Sequence, residues 1–128
     1  MFKLSEKSKS RLEGVDLQLI ICIEMALKVS KVDFGIPADG GIRTAKRQKE
    51  LFDKGASKCD GYTNKSYHQT GKAFDVFAYV DGKASWQPEH LTKVAAAILQ
   101  CAVQLGIQLE WGGLWKNFTD MPHFQIAE

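Results

Sequence analysis

The segment Ala73 to Val80, Ala-Phe-Asp-Val-Phe-Ala-Tyr-Val, constrains this chain more than any other. Its apolar and aromatic residues predict a strand, and the Asp81-Gly82 pair that follows predicts a turn. Asp75 then lies mid-strand, between Phe74 and Val76. A carboxylate in such surroundings is costly to bury unless it is paired, hydrogen-bonded or bound to a metal ion. Any fold the chain adopts must therefore supply Asp75 with a partner.

Two of the three histidines are candidates. His68 precedes Asp75 across Gly71, and glycine permits the positive φ of a tight turn that folds His68 back beside the strand. His123 lies in Asp120-Met121-Pro122-His123-Phe124. Pro122 biases Met121 towards extended backbone, which predicts a last short strand over Pro122 to Ile126. His123 and Gln125 face one way along it, Phe124 and Ile126 the other. A catalytic zinc site commonly takes three ligands from His, Asp or Glu and leaves a fourth position for water. His68, Asp75 and His123 make that count. Asp120, on the loop before the last strand, suits a general base that is not itself a ligand. Plainer readings fit the same residues: Asp75 capping a loop, His68 on the surface, Asp120 closing an Asx turn.

Arg43 follows Gly40-Gly41-Ile42 at the edge of an irregular segment. There it suits a bidentate carboxylate contact or stabilisation of an oxyanion, or simply a solvated helix start. Trp111, Trp115 and Tyr79 are candidates to line a cleft, with core or rim packing as the alternative. His90 reads as a helix-surface residue. Cys59 is the one cysteine in a polar loop and a weak metal candidate, because a thiolate more often marks a closed structural site with further cysteines nearby.

Elsewhere the periodicity predicts an amphipathic helix over 10–29, with Leu12, Val15, Leu19, Cys22, Ile23 and Ala26 on its apolar face. Phe34 to Ile42 reads as irregular or a short strand. Thr44 caps a helix over 45–54 that Gly55 ends. Residues 56–67 form a loop. Pro88 opens a helix that Gly106 closes. Ile107, Leu109 and Trp111 alternate with Gln108 and Glu110 as a strand, broken by Gly112-Gly113. Without βαβ alternation, this mixture predicts an α+β domain with a small, mainly antiparallel sheet.

Length and composition set the outer limits. At 128 residues, without repeats or a linker, the chain reads as a single domain. Seventeen basic against fifteen acidic residues, a formal net charge of +2, leave no nucleic-acid footprint. Three widely spaced cysteines do not make a disulfide framework and predict folding in a reducing compartment. The polar N-terminus is no secretory signal, and no apolar run is long enough to span a bilayer.

Taken together, Ser66-x-His68-x-x-Gly71-x-Ala73-x-Asp75 and the downstream Asp120-x-x-His123 resemble the zinc peptidases of the D-alanyl-D-alanine carboxypeptidase and L-alanyl-D-glutamate peptidase group, peptidase family M15. Gly41-Ile42-Arg43-Thr44 is similar to that group's upstream arginine segment, and Trp111-Gly112-Gly113-x-Trp115 to its tryptophan-glycine segment. The similarity runs in order from about Phe34 to the C-terminus and is strongest to small bacteriophage endolysins. It implies a hedgehog/DD-peptidase-like fold: a small central antiparallel sheet with flanking helices.

The resemblance further implies Zn2+ held by His68, Asp75 and His123, with Asp120 as catalytic base, where many relatives have glutamate. It implies that Arg43 contacts substrate and polarises the scissile carbonyl, that Ser66 positions substrate or the site loop, and that Trp115 also binds substrate. The expected activity is hydrolysis of the L-alanyl-D-glutamate bond of the peptidoglycan stem peptide, leading to host lysis. A D,D-carboxypeptidase or dipeptidase on the same scaffold, or a non-catalytic zinc-binding wall module, is the alternative. The expected protein is a monomer, one catalytic domain over 1–128 without a wall-binding domain. It makes no stable membrane association and accumulates in the host cytoplasm without a signal peptide, until a holin-type pore releases it to the wall.

Overall fold

The structure is a computed structural model and describes residues 1–127. Helices α1 (Glu6–Arg11) and α2 (Leu17–Val29) lead into β1 (Asp33–Gly35) and α3 (Ala45–Asp53). After a long loop and a 3-10 turn at Tyr67–Thr70 come β2 (Ala73–Asp75), β3 (Phe77–Val80) and β4 (Lys83–Ser85). Then follow α4 (Pro88–Leu105), β5 (Leu109–Trp111), a 3-10 turn at Gly112–Leu114 and β6 (His123–Ile126). The class is α+β with antiparallel pairing throughout, as expected.

Two elements differ from the sequence reading. The helix over 10–29 is two helices, because Gly14 adopts a φ of 88° and Asp16 starts α2 by accepting the backbone N–H of Gln18. Leu12 and Val15 are buried all the same, since the connecting turn folds back onto the core. The strand over 73–80 is also two strands. It changes sheets at Val76, whose N–H turns to the carbonyl of Pro122. The described residues consequently form two three-stranded sheets, ordered β1-β3-β4 and β2-β6-β5, rather than one. Asp75 ends its strand at this seam instead of lying mid-strand.

Other local expectations hold. Thr44 accepts the N–H of Arg47 at the start of α3, Pro88 occupies the first turn of α4, and Gly106 closes it in the left-handed conformation. Asp81 and Gly82, both at positive φ, make the two-residue turn of the β3-β4 hairpin. Helices α2 and α4 pack together over the core. Cys22 and Cys101 are free and buried there, and burial followed by the charge of Cys101 pushes the Cys22 thiol up to about 12. Among the described residues no helix is long and apolar enough to cross a membrane.

The β2-β6-β5 sheet positions the site. Phe74 lies opposite Phe124, and Trp111 opposite Phe124 on the other side. The Phe74 and Phe124 rings stack at 5.1 Å, and Trp111 stacks on Phe124 at 6.4 Å. This apolar face belongs to the core. Strand alternation then sends Asp75, His123, Gln125 and Glu110 to the opposite face, where Asp75 pairs with His123 and Glu110 with Gln125.

Candidate metal centre

Three chain segments bring His68, Asp75 and His123 together. The 3-10 turn over Tyr67–Thr70 presents His68, which is 1% exposed. Ser66 starts that turn: its Oγ accepts the N–H of His68, while its own N–H donates to Gln69 Oε1. Gly71 ends the turn at a φ of 74°, the left-handed conformation anticipated for it. Asp75 and His123 are cross-strand neighbours.

The facing atoms are specific. His123 Nδ1 lies 3.1 Å from Asp75 Oδ1 and 3.2 Å from His68 Nε2. His68 Nε2 lies 3.3 Å from the same carboxylate oxygen. Each histidine uses its other nitrogen elsewhere. His68 Nδ1–H donates to the carbonyl of Gly41 at 2.9 Å, and His123 Nε2 meets Gln125 Oε1 at 2.8 Å. Gly41 packs so closely against the carbonyl of Arg11 that a side chain there would displace the backbone that holds His68.

Arg43 completes the surroundings of Asp75. Its Nη2 donates to Asp75 Oδ2 at 3.1 Å, its Nε to the carbonyl of Asp39 and its Nη1 to Gln48 Oε1. The guanidinium thus holds one carboxylate oxygen while the other faces the histidines. Gln48, fully buried, also donates to Ser57 Oγ and the Cys59 carbonyl and so ties the loop after α3 to Arg43.

Electrostatics follow from this packing. Burial works against the charge of Asp75, yet hydrogen bonds from His123 and His68, and the charge of both rings, hold its carboxyl well below the usual carboxylate range. Burial likewise disfavours a charged His123, but the hydrogen bond and charge of Asp75, then Gln125 and Asp120, raise its pKa. Asp120 moves upward, first through burial and then through the charge of Asp75. A carboxylate made more basic in this way is better suited to take a proton.

An open cleft of about 510 Å³ contains these groups. Arg43, Ser66, His68, Asp75, Trp115, Asp120 and His123 all line it. Trp115 leans on the His123 ring at 5.3 Å. Trp111 and Tyr79 do not line the cleft. Trp111 is buried in the core stack, and its indole N–H donates to the carbonyl of Met121, beside Asp120. Tyr79 is exposed on the other sheet. Cys59 is free at the cleft wall but lies outside the group of potential metal donors.

The chain matches the phage L-alanyl-D-glutamate peptidase family over residues 1–126. It is 34% identical to the L-alanyl-D-glutamate peptidase of Escherichia phage T5 over 120 residues, covering 93% of this chain and 85% of that one. It therefore belongs to the phage L-alanyl-D-glutamate peptidase family.

Relatives extend beyond phages. The peptidoglycan L-alanyl-D-glutamate endopeptidase CwlK of Bacillus subtilis is 32% identical over 114 residues, covering 79% of this chain and 67% of that one. The crystal structure of the Serratia marcescens L-Ala D-Glu endopeptidase ChiX superimposes with a TM-score of 0.86 at 36% identity, covering 98% of this chain and 90% of that one.

The donor set of this peptidase suits a metal ion. His68, Asp75 and His123 each offer one ligand atom, and the three atoms lie within 4.8 Å of one another. Their separations of 3.1, 3.2 and 3.3 Å form a nearly equilateral triangle. Tetrahedral ligands at ordinary zinc distances would be about 3.3–3.4 Å apart. Two neutral imidazoles and one carboxylate are donors that zinc accepts. Gln125 and Gln48 were given no role by sequence reasoning. Alternation did place Gln125 on the face of His123, whereas nothing in the helical pattern marked Gln48 as buried.

Proposed function

We propose that this chain is a zinc peptidase that cuts the bond between L-alanine and D-glutamate in the peptidoglycan stem peptide, and that it serves as a lysin. One observation carries the reading: a preassembled three-donor triangle shares a single cleft with a spare acid, Asp120. A purely structural metal site has no use for that acid. Zinc, when held by His68, Asp75 and His123, supplies Lewis acidity that activates water and polarises a carbonyl.

The remaining work falls to the protein's own side chains. Asp120 accepts the proton of the attacking water and delivers it to the amine of D-glutamate as the C–N bond breaks. Arg43 keeps Asp75 oriented and lies close enough to the cleft to face the developing oxyanion. Ser66 holds the His68 turn, and Trp115 supplies an apolar wall for the peptide. Release to the wall through a holin-type pore completes the proposed role.

Digestion of purified peptidoglycan, followed by mass spectrometry of the fragments, tests this reading. New D-glutamate amino termini are expected, dependent on zinc. Release of free D-alanine with the L-Ala–D-Glu link intact would overturn the endopeptidase assignment.

A further inference from the structure

The two histidines of the triangle are oriented by different devices. His68 donates Nδ1–H to a backbone carbonyl, which can only accept. His123 instead meets a side-chain amide, and an amide can offer either its oxygen or its NH2. Something must fix which end of Gln125 faces the ring. We infer that Glu110 does so, and that Glu110 and Gln125 are positioning residues that keep the proton of His123 on Nε2 and leave Nδ1 free for the metal. The inference rests on the zinc-peptidase reading of the triangle.

The chain of polarity runs in one direction. A carboxylate only accepts hydrogen bonds. Glu110 Oε2 lies 3.3 Å from Gln125 Nε2, so the NH2 of Gln125 points to Glu110. Its Oε1 must then point to His123, at 2.8 Å, and accept from Nε2–H. A neutral imidazole has one N–H, so a ring that holds zinc keeps its proton on Nε2, against Gln125, and turns the lone pair of Nδ1, the nitrogen that faces Asp75 and His68, to the metal. Strand register builds the relay, since Glu110 and Gln125 are directly opposite and Gln125 lies two residues from His123 on the same face. Groups that orient a histidine ligand from behind commonly matter about 10–100-fold for metal affinity.

Glu110 is exposed, so its substitution leaves the core alone. Glu110→Lys replaces an acceptor with a donor. Gln125 is then expected to turn its oxygen to the new cation and its NH2 to His123, so that the Nε2–H of a zinc-bound ring meets a donor instead of an acceptor. Zinc affinity, measured by chelator competition, should fall about 10–100-fold. Glu110→Gln keeps an acceptor oxygen and should bind zinc more tightly than Glu110→Lys. The double variant Glu110→Lys, Gln125→Glu puts an acceptor-only group back against His123 Nε2 and should recover affinity. Parental zinc affinity in Glu110→Lys would overturn the relay while leaving the peptidase reading intact. A double variant as weak as Glu110→Lys would also overturn it. A parent protein that binds no zinc would instead bring down the metal reading itself.

Discussion

The two small sheets have the same strand count and pairing direction, and one continuous segment, residues 73–80, supplies a strand to each. They differ in what cross-strand register does with polar residues. In the β1-β3-β4 sheet, Asp33 lies opposite Tyr79 and its carboxylate turns back to the N–H of Phe34. Burial raises the Asp33 pKa against the hydrogen bond from Phe34, and among the described residues no ion pair answers it. In the β2-β6-β5 sheet, Asp75 faces His123 and Glu110 faces Gln125, while His68 and Arg43 arrive from loops to complete the row. The backbone of the two sheets is much alike. Convergence of polar groups on the face that lines the cleft makes one of them a site.

The largest effect should come from matched changes in the two sheets. Asp75→Asn removes the charge that draws both histidines and Arg43 together, and is expected to abolish zinc binding and peptidoglycan hydrolysis. Asp33→Asn, the same chemistry in the other sheet, should leave both intact. Equal losses in the two variants, measured by zinc titration and turbidity clearance of cell walls, would erase the contrast. Next is Asp120→Ala. Removing a general base typically costs about 10²–10⁴-fold, so kcat should fall on that order with zinc affinity retained. A parallel loss of zinc would make Asp120 a ligand instead. Phe124→Ala breaks the stack on the hidden face of the site sheet. Such truncations commonly cost about 3–5 kcal/mol, which urea unfolding would read as a lowered midpoint. A stability loss below about 1 kcal/mol would mean the site does not lean on that stack.

Residue chemistry made the site more legible than the backbone. Asp75 stood out because a carboxylate among Phe74, Val76 and Phe77 needs a partner, and His68 and His123 were candidates beside plainer readings until the family resemblance of the ordered segments around Arg43, Ser66, Gly71, Trp111 and Trp115 singled them out. Gly71 and Pro122 signalled the local geometry correctly. The break at Gly14 was harder to see, because Leu12 and Val15 keep helical spacing with α2 while reaching the core from a turn. The seam at Val76 was invisible because both halves of the segment are apolar, and periodicity does not say which neighbour a strand pairs with. Trp111 was ambiguous for a similar reason: its ring packs on Phe124 while its N–H supports the Asp120 loop. Gln48 could not be found at all, since its partners Arg43, Ser57 and Cys59 meet it only in the folded chain.

The smallest expected effect separates the sheets by pH. In the metal-free protein, Asp75 raises the His123 pKa against the opposing effect of burial. A raised histidine pKa contributes stability that is complete below the ordinary value of about 6.5 and disappears as pH rises through the folded value. Asp75 behaves oppositely. Its depressed pKa contributes stability above the ordinary carboxylate value, about 3.9, and loses it as pH falls. The pair therefore supports the metal-free fold most between these limits. Zinc needs His123 Nδ1 free of its proton, so metal binding strengthens over the rising pH range in which the pair weakens. Melting temperatures of chelator-treated and zinc-loaded protein should diverge as pH increases beyond about 6.5. Asp33 titrates in both forms alike and cannot produce that divergence. In Asp75→Asn the metal-free decline through the His123 range should vanish, because the ring has lost the partner that raised its pKa. Parallel curves for the metal-free and loaded parent would show that the Asp75–His123 pair is not where the proton and the metal compete.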